Sequence, residues 1–364
     1  MEKVRYIMRK ILTFGDLHIS SFHQFSRIDP TGFSTRELEH LEVANDIVKY
    51  LQEHTGEVES VVFLGDLIHP VGGNISCDNL LTATEFISRI QEECIKQNII
   101  FYLLVGNHDL NAINGNIASH KLIPFKKWQN IKIVDNLEEC GNYVFLPFTH
   151  TPLDSVTAFL ESIQNKDQKI IFSHVDIRGA DMGAGIIVER GIDNDLLGQF
   201  RAVFQGHYHV PQKLGANIWV SGSTQKTSFK DPGGGSLIIY DLDESTVTRQ
   251  KFNVPDWITF YEDEVEKIPL TSSNSYVKIV VSSDSVLDQY NISPDMLGRF
   301  KGCEKVIEVE RISAKRLHRT DEEMIEELPE TIITNFIKSS IDIDPGQQES
   351  YIQKGLDLIN RAKQ

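Results

Sequence analysis

Short apolar runs, each stopped by glycine or a polar pair, alternate with longer amphipathic stretches through the first 265 or so residues. Ile11–Phe14, Val61–Leu64, Ile99–Val105, Lys169–Phe172 and Ala202–Phe204 are continuous enough to predict strands buried on both faces. Between the first two, Thr35–His54 carries Leu38, Leu41, Ile47, Val48 and Leu51 near helical spacing, and Leu80, Leu81, Phe86, Ile87 and Ile90 repeat the pattern before the third. Strand–helix–strand order predicts parallel pairing with right-handed crossovers. The carboxyl ends of such strands are where chemistry collects.

After Gln205 the pattern changes. Ile218–Ser221, Leu237–Tyr240 and Val247–Phe252 predict strands separated by turns such as Asp231-Pro232-Gly233-Gly234-Gly235, and hence a largely antiparallel sheet edge. Polar and acidic residues over Asp256–Asn274 predict a linker. Beyond it, a strand at Tyr276–Val281, a short helix at Met296–Phe300 and a strand at Val306–Ile312 predict a small α/β module. Two amphipathic helices follow, one with Ile332, Ile333, Phe336 and Ile337 on a face and one with Ile352, Leu356 and Ile359, broken at Asp344-Pro345-Gly346. The expected division is residues 1–265, 266–314 and 315–364. No internal repeat is evident.

Five of the predicted strands end in motifs rich in carboxylate, amide and imidazole. They are Gly15-Asp16-Leu17-His18, Gly65-Asp66-Leu67-Ile68-His69, Gly106-Asn107-His108-Asp109, Phe172-Ser173-His174 and Gly206-His207-Tyr208-His209. No folding argument requires so many ionisable groups at strand ends, whereas a pair of divalent metals does. Asp16 and His18, alternating by two on an extended chain, suit one ion. Asp66 is the candidate bridge, because a carboxylate has two oxygens. Asn107, His174 and His207 suit the second ion, and His209 returns to the first. Mixed nitrogen and oxygen donors without thiolate favour Mn, Fe or Zn over Ca or Mg. A centre of this kind activates water for in-line attack on a phosphate ester. His108 is then placed to protonate the leaving alkoxide, oriented by a ring hydrogen bond to Asp109 unless Asp109 simply caps the following loop, and His69 to face the substrate phosphate.

Composition adjusts this picture only slightly. The 364 residues are 40% hydrophobic and 24% charged, ordinary globular values. No apolar run reaches the ~18 residues of a membrane span. The start shows no secretory leader, and four scattered cysteines (Cys77, Cys94, Cys140, Cys303) suggest reduced thiols, so a cytoplasmic location is expected. A formal charge of −16 argues against nucleic acid at first sight. Bound cations offset part of it, and Asp321-Glu322-Glu323 and Glu326-Glu327 concentrate much of the rest near the C-terminus. Lys126, Lys127, Arg178, Lys226 and Lys230 are candidate phosphate contacts.

The order Gly-Asp…Gly-Asp…Gly-Asn-His-Asp…His…Gly-His-x-His resembles the calcineurin-like metallophosphoesterase superfamily. That resemblance implies a four-layer α-β-β-α sandwich. Ile68-His69-Pro70 and Asp109 depart from the pattern usual in Ser/Thr protein phosphatases. Gly-Asp-Leu-His, Gly-Asp-Leu-Ile-His and the order of parts are more similar to the SbcD-type nuclease subunit of DNA break-repair complexes and its shorter bacteriophage recombination-endonuclease counterparts. The likeness implies two manganese ions, one held by Asp16, His18, Asp66 and His209, the other by Asp66, Asn107, His174 and His207. It also implies His108 as acid, His69 on the phosphate and a capping module that captures DNA. The terminal helices would dock an SMC-like ATPase of SbcC type, and the chain would form a homodimer with no membrane association, in a bacterial or phage-infected cell. No Gly-x4-Gly-Lys-Ser/Thr loop occurs, so ATP would be bound by the partner. The alternative is a small-molecule phosphodiesterase, acting for example on cyclic nucleotides.

Overall fold

A computed structural model describes residues 9–20, 24–69, 75–113, 116–149, 151–183, 185–231, 233–267, 273–282, 300–307 and 352–354. Strands β1 (Lys10–Phe14), β2 (Val58–Phe63) and β3 (Ile100–Leu104) pair in parallel, with helices α1 (Thr35–Glu53) and α2 (Cys77–Gln97) as the crossovers. A hairpin of β4 (Leu110–Ile113) and β5 (Asn116–His120) follows, and β6 (Ile131–Val134) then joins β3 in parallel. The chain next builds a second sheet from β7 (Glu138–Cys140), β8 (Tyr143–Leu146), β9 (Ile170–Ser173), β10 (Ala202–Gln205), β11 (Gln212–Leu214) and β12 (Ile218–Val220). Helices α3 (Leu153–Ser162) and α4 (Asn194–Leu197) interrupt it. Strands β13 (Ser236–Asp241) and β14 (Thr246–Lys251) return to the first sheet. The strand orders are β14-β13-β1-β2-β3-β6 and β11-β12-β10-β9-β8-β7.

The apolar runs are continuous because both faces of each strand are covered. Leu12, Phe14, Val61, Phe63 and Leu103 pack with Ala44, Ile47 and Leu51 of α1 and Phe86, Ile87 and Ile90 of α2. The alternate residues Ile11, Val62, Leu64 and Leu104 meet Phe145, Phe172 and Phe204 of the second sheet. On that sheet's far side, Val144, Leu146, Ile171 and Val203 pack with Val156 and Leu160 of α3 and Leu197 of α4. The result is the expected four layers, helix–sheet–sheet–helix. Phe145, Phe172, Phe204 and Trp219 form a row of stacked rings between the sheets, with centroids 5.5–5.8 Å apart. Truncating one of these to Ala costs about 3–5 kcal/mol.

The predicted α1 begins at a capping box. Ser34 Oγ accepts from Glu37 N–H at 3.1 Å while Glu37 Oε2 accepts from Ser34 N–H at 2.7 Å, together worth about 1 kcal/mol. In α2 the core face is narrower than the spacing suggested, since Leu80 and Leu81 are exposed. The antiparallel edge is split: β13 and β14 extend the first sheet beside β1, whereas β12 runs parallel to β10 and only β11 opposes it.

The stretch expected as a linker instead opens with β15 (Asp256–Tyr261), because Trp257, Ile258 and Phe260 supply strand-forming side chains amid its acids. It pairs in parallel with β16 (Ser273–Val281), which pairs with β17 (Phe300–Ile307). Phe300, expected at the end of a helix, begins a strand; residues 283–299 and 308–312 lie outside the described set. This third sheet sits on the start of α1. The Arg36 guanidinium, buried, lies 4.6 Å from the Trp257 ring and 5.1 Å from Tyr276, and bonds Glu39 at 3.1 Å. Glu39 also receives Tyr276 Oη–H and the Lys301 ammonium. One compact unit extends to Ile307 and residues 308–364 form another. The expected terminal helix pair lies outside the described residues except for a helical turn at 352–354. No described helix is long and apolar enough to cross a membrane.

Candidate metal centre

The loops that follow β1, β2, β3, β9 and β10 converge at one edge of the two inner layers. Backbone pairing runs past the strand ends: Asp16 N–H donates to Gly65 C=O at 2.9 Å, and the N–H groups of Leu17 and His18 both donate to Asp66 C=O at 3.0 Å. This pairing holds the loops in a turned backbone. Asp16, His18, Asp66 and His207 have φ of 56°, 49°, 61° and 73°, each costing about 1–3 kcal/mol in a residue with a side chain. Asp16 and His18 therefore do not alternate on an extended strand as expected; β1 ends at Phe14, and a left-handed backbone at each of the two positions aims its side chain. Glycine is required beside them. A Cβ on Gly65 (φ +107°) would lie 2.4 Å from His174 Nδ1, and one on Gly106 would lie 2.1 Å from Asp66 Oδ1.

Among the described residues, Asp16, His18 and His209 bring donor atoms within 4.8 Å of one another, as do Asp66, His174 and His207. Asp66 Oδ2 stands 3.6 Å from His18 Nε2 and 3.3 Å from His174 Nε2, so one carboxylate oxygen touches both groups. Asn107 Oδ1 joins the second group, 3.1 Å from His174 Nε2 and 3.0 Å from His207 Nδ1. His69 and His108 form a further donor set with His18. Their rings stack 4.4 Å apart and line a cavity of ≈ 330 Å³ together with Asp16, His18 and His209. The His108 N–H donates to Asp66 Oδ1 at 2.8 Å, and its carbonyl accepts from Lys121 Nζ at 2.6 Å.

Asp109 does something other than orient the His108 ring. Its buried carboxylate accepts four backbone N–H bonds, from Asp66, Leu67, Ile68 and Gly106 at 2.9–3.2 Å. It ties the second metal-site loop to the third, a positioning role that follows from the turn at His108 directing the next side chain inward.

The imidazoles are oriented by partners that the sequence reading did not identify. His174 Nδ1–H donates to the Leu64 carbonyl at 2.6 Å, which fixes Nε2 as the nitrogen that faces Asp66. His207 Nε2 lies 3.2 Å from Asp176 Oδ1, which also accepts from Tyr208 Oη–H at 3.1 Å. His209 Nδ1 lies 3.5 Å from Asp231 Oδ1. Asp176 stands two residues after His174, a weak signal; Asp231 opens a glycine-rich turn and carries none. Of the candidate phosphate contacts, Arg178 is paired with Asp193 at 2.8 Å and Lys126 with Asp135 at 3.5 Å.

The donor set fits divalent cations. Burial, reinforced by the charge of Asp66, pushes the Asp16 carboxyl up to about 7 against the pull of His174, and its Oδ1 is buried without a hydrogen-bond partner among the described residues. Burial also opposes ionisation of Asp66, but His174 and His18 outweigh it and hold that carboxyl below the usual range. Burial lowers His18 well below its ordinary value, so its nitrogen is free of a competing proton. Adjacent buried carboxylates with neutral imidazoles around them are neutralised by a cation between them. His174 and His209 are the exceptions: against burial, the charge of Asp66 raises His174 to about 9, and the hydrogen bond to Asp231 raises His209; a cation reverses that balance.

Two solved structures share a distant likeness. One, titled as a novel archaeal phosphodiesterase, is 13% identical and is matched over 67% of this chain and 99% of its own, with a TM-score of 0.33. The other, the Thermus thermophilus sulfate thiohydrolase SoxB with glycerol, is 11% identical, over 69% of this chain and 58% of its own, at 0.35. Scores this low bear no weight. No curated protein matches. The family comparison is decisive by contrast, since residues 9–211, more than half of the chain and all five motifs up to His209, match Calcineurin-like phosphoesterase. The chain belongs to the calcineurin-like phosphoesterase family.

Proposed function

We propose that this metallophosphoesterase is a manganese-dependent exo- and endodeoxyribonuclease, the nuclease subunit of an SbcCD-like complex that processes DNA ends in repair and recombination. The observation that carries the hydrolytic part is the Asp66 oxygen shared by two donor groups beside a cavity walled by His108. Two cations held by Asp16, His18 and His209 and by Asp66, Asn107, His174 and His207 supply Lewis-acid charge and an acidified water when bound. The chain's own groups do the rest. His108, its backbone fixed by Asp66 and Lys121, gives a proton to the leaving oxygen. His69, stacked on it, donates to a free phosphate oxygen.

The DNA reading is supported by the third sheet. Arg36, packed against Trp257 and Tyr276, donates to the carbonyl of Thr227 at 3.1 Å, and Thr227 lines the catalytic cavity. The 266–314 segment is the DNA-capturing cap in this reading, and residues 315–364 dock the SMC-like ATPase of a cytoplasmic complex.

With manganese, the full chain should hydrolyse bis-p-nitrophenyl phosphate and a DNA duplex end in preference to cyclic AMP. His108→Gln should lower turnover by about 10²–10⁴-fold while two metals stay bound. Efficient cyclic AMP hydrolysis with inert DNA would overturn the nuclease assignment. Truncation after Ala314 should spare the generic diester and end co-purification with the ATPase; an insoluble product would assign those residues to the core instead.

A further inference from the structure

A second cavity, of ≈ 490 Å³, shares no lining residue with the one that carries His108. Val105, which immediately precedes the Gly106-Asn107 loop, and Phe148 form the wall nearest the metal centre. The Phe148 ring lies 6.2 Å from that of His207. We propose that this cavity binds the nucleoside that stays on the phosphate after the leaving oxygen has departed. The inference rests on the phosphodiesterase reading above and names the substituent that this site selects.

The direction of the reaction separates the two cavities. His108 gives its proton in the first, so the leaving alkoxide exits there. Phosphorus in a diester bears one other substituent, and Phe148, 6.2 Å from the His207 ring, sets the second cavity beside the metal centre to receive it. Its size is that of a small-molecule subsite. Its walls suit a flat base with a polar edge. Phe148 offers an aromatic face and Leu110 an apolar one, while Thr149, Asn136 and Asp135 supply hydrogen-bonding groups.

The polar side is built rather than incidental. Asp135 is held at once by His120 at 3.3 Å, Lys126 at 3.5 Å and Asn136 at 2.9 Å, which keeps an acceptor fixed at the wall. The His120 side chain is only 9% exposed, and its Nδ1 has no hydrogen-bond partner among the described residues. A lipid chain would not use such acceptors.

The test compares two esters with the same leaving group on the full, manganese-loaded chain: thymidine 5′-(p-nitrophenyl phosphate) and methyl p-nitrophenyl phosphate. The nucleoside ester should show a kcat/KM higher by at least about tenfold, expressed mainly in KM. Phe148→Ala and Asn136→Trp, the latter on an exposed turn where folding is undisturbed, should each bring the ratio close to one. Thymidine 5′-monophosphate should raise the melting temperature more than methyl phosphate does, and lose that advantage in both variants. Equal kcat/KM for the two esters, or a preference untouched by both substitutions, overturns the subsite while leaving the hydrolase standing. Turnover of neither ester overturns both.

Discussion

Asp66, His174 and His207 are held from behind by the protein, whereas Asp16, His18 and His209 lean largely on one another. His174 is fully buried with its Nδ1 on the Leu64 carbonyl, and His207 is anchored by Asp176, itself bonded to Tyr208. In the other group, His18 meets His209 at 2.9 Å, His69 at 3.4 Å and the Asp66 carboxylate at 3.6 Å, so its contacts lie within the site itself. The His209 anchor, Asp231, is at 3.5 Å, and the His209 side chain is 32% exposed against 17% for His207. A ligand whose far nitrogen is already fixed loses little freedom on binding a metal. The difference teaches that the Asn107 side of the centre is a preformed site. The His18 side, next to His69 and His108, has fewer such anchors.

The comparison is broken most completely at the oxygen both groups share. Asp66→Asn should lower kcat about a thousandfold or more and drop metal content below one per chain, measured by elemental analysis beside the rate. Retention of two metals with near-normal turnover would mean that the groups act independently. A gentler cut separates them. In calorimetric titration with manganese, Asp176→Asn should weaken the tighter step by about 10–100-fold, and Asp231→Asn the weaker step by less than about tenfold. Equal losses in the two variants would erase the asymmetry.

The convergence of the five motifs was legible because it depends on strand ends, and strand ends are written in apolar runs stopped by glycine. So were the layers, because each run buries alternate residues on opposite faces. What was hidden depends on where loops turn. Asp109 follows His108 in sequence, which suggests a ring contact, yet its carboxylate turns back to three amides of a loop some 40 residues away in the chain, Ile68 N–H being 41 residues distant, and to the nearby Gly106 amide. Asp176 and Asp231 are ordinary loop acids until the fold sets them behind His207 and His209. Strand β15 was masked by the acids around Trp257 and Phe260, and its partners come later in the chain. The split of β12 and β13 between two sheets is likewise a matter of connection rather than pattern.

The smallest effect probes what stands behind the His18 side. His40, buried in α1, accepts from Gln225 Nε2 at 2.7 Å, and Gln225 lines the cavity with His18 and His209. Burial, with the charge of Arg36 adding to it, lowers His40 to about 3. The unfolded chain, near 6.5, therefore binds the proton first, so the stability this neutral imidazole confers is complete above pH 6.5. It is lost progressively as pH falls from there toward 3. At pH 6 the loss is about 0.8 kcal/mol and it grows with further acidification. His40→Gln keeps an acceptor for Gln225 but cannot titrate. Urea unfolding at pH 8 and pH 6 should then show a smaller acid-dependent loss in the variant than in the parent chain. Parallel losses would mean that His40 is already protonated in the fold, and the wall beside His18 and His209 would be a charged one.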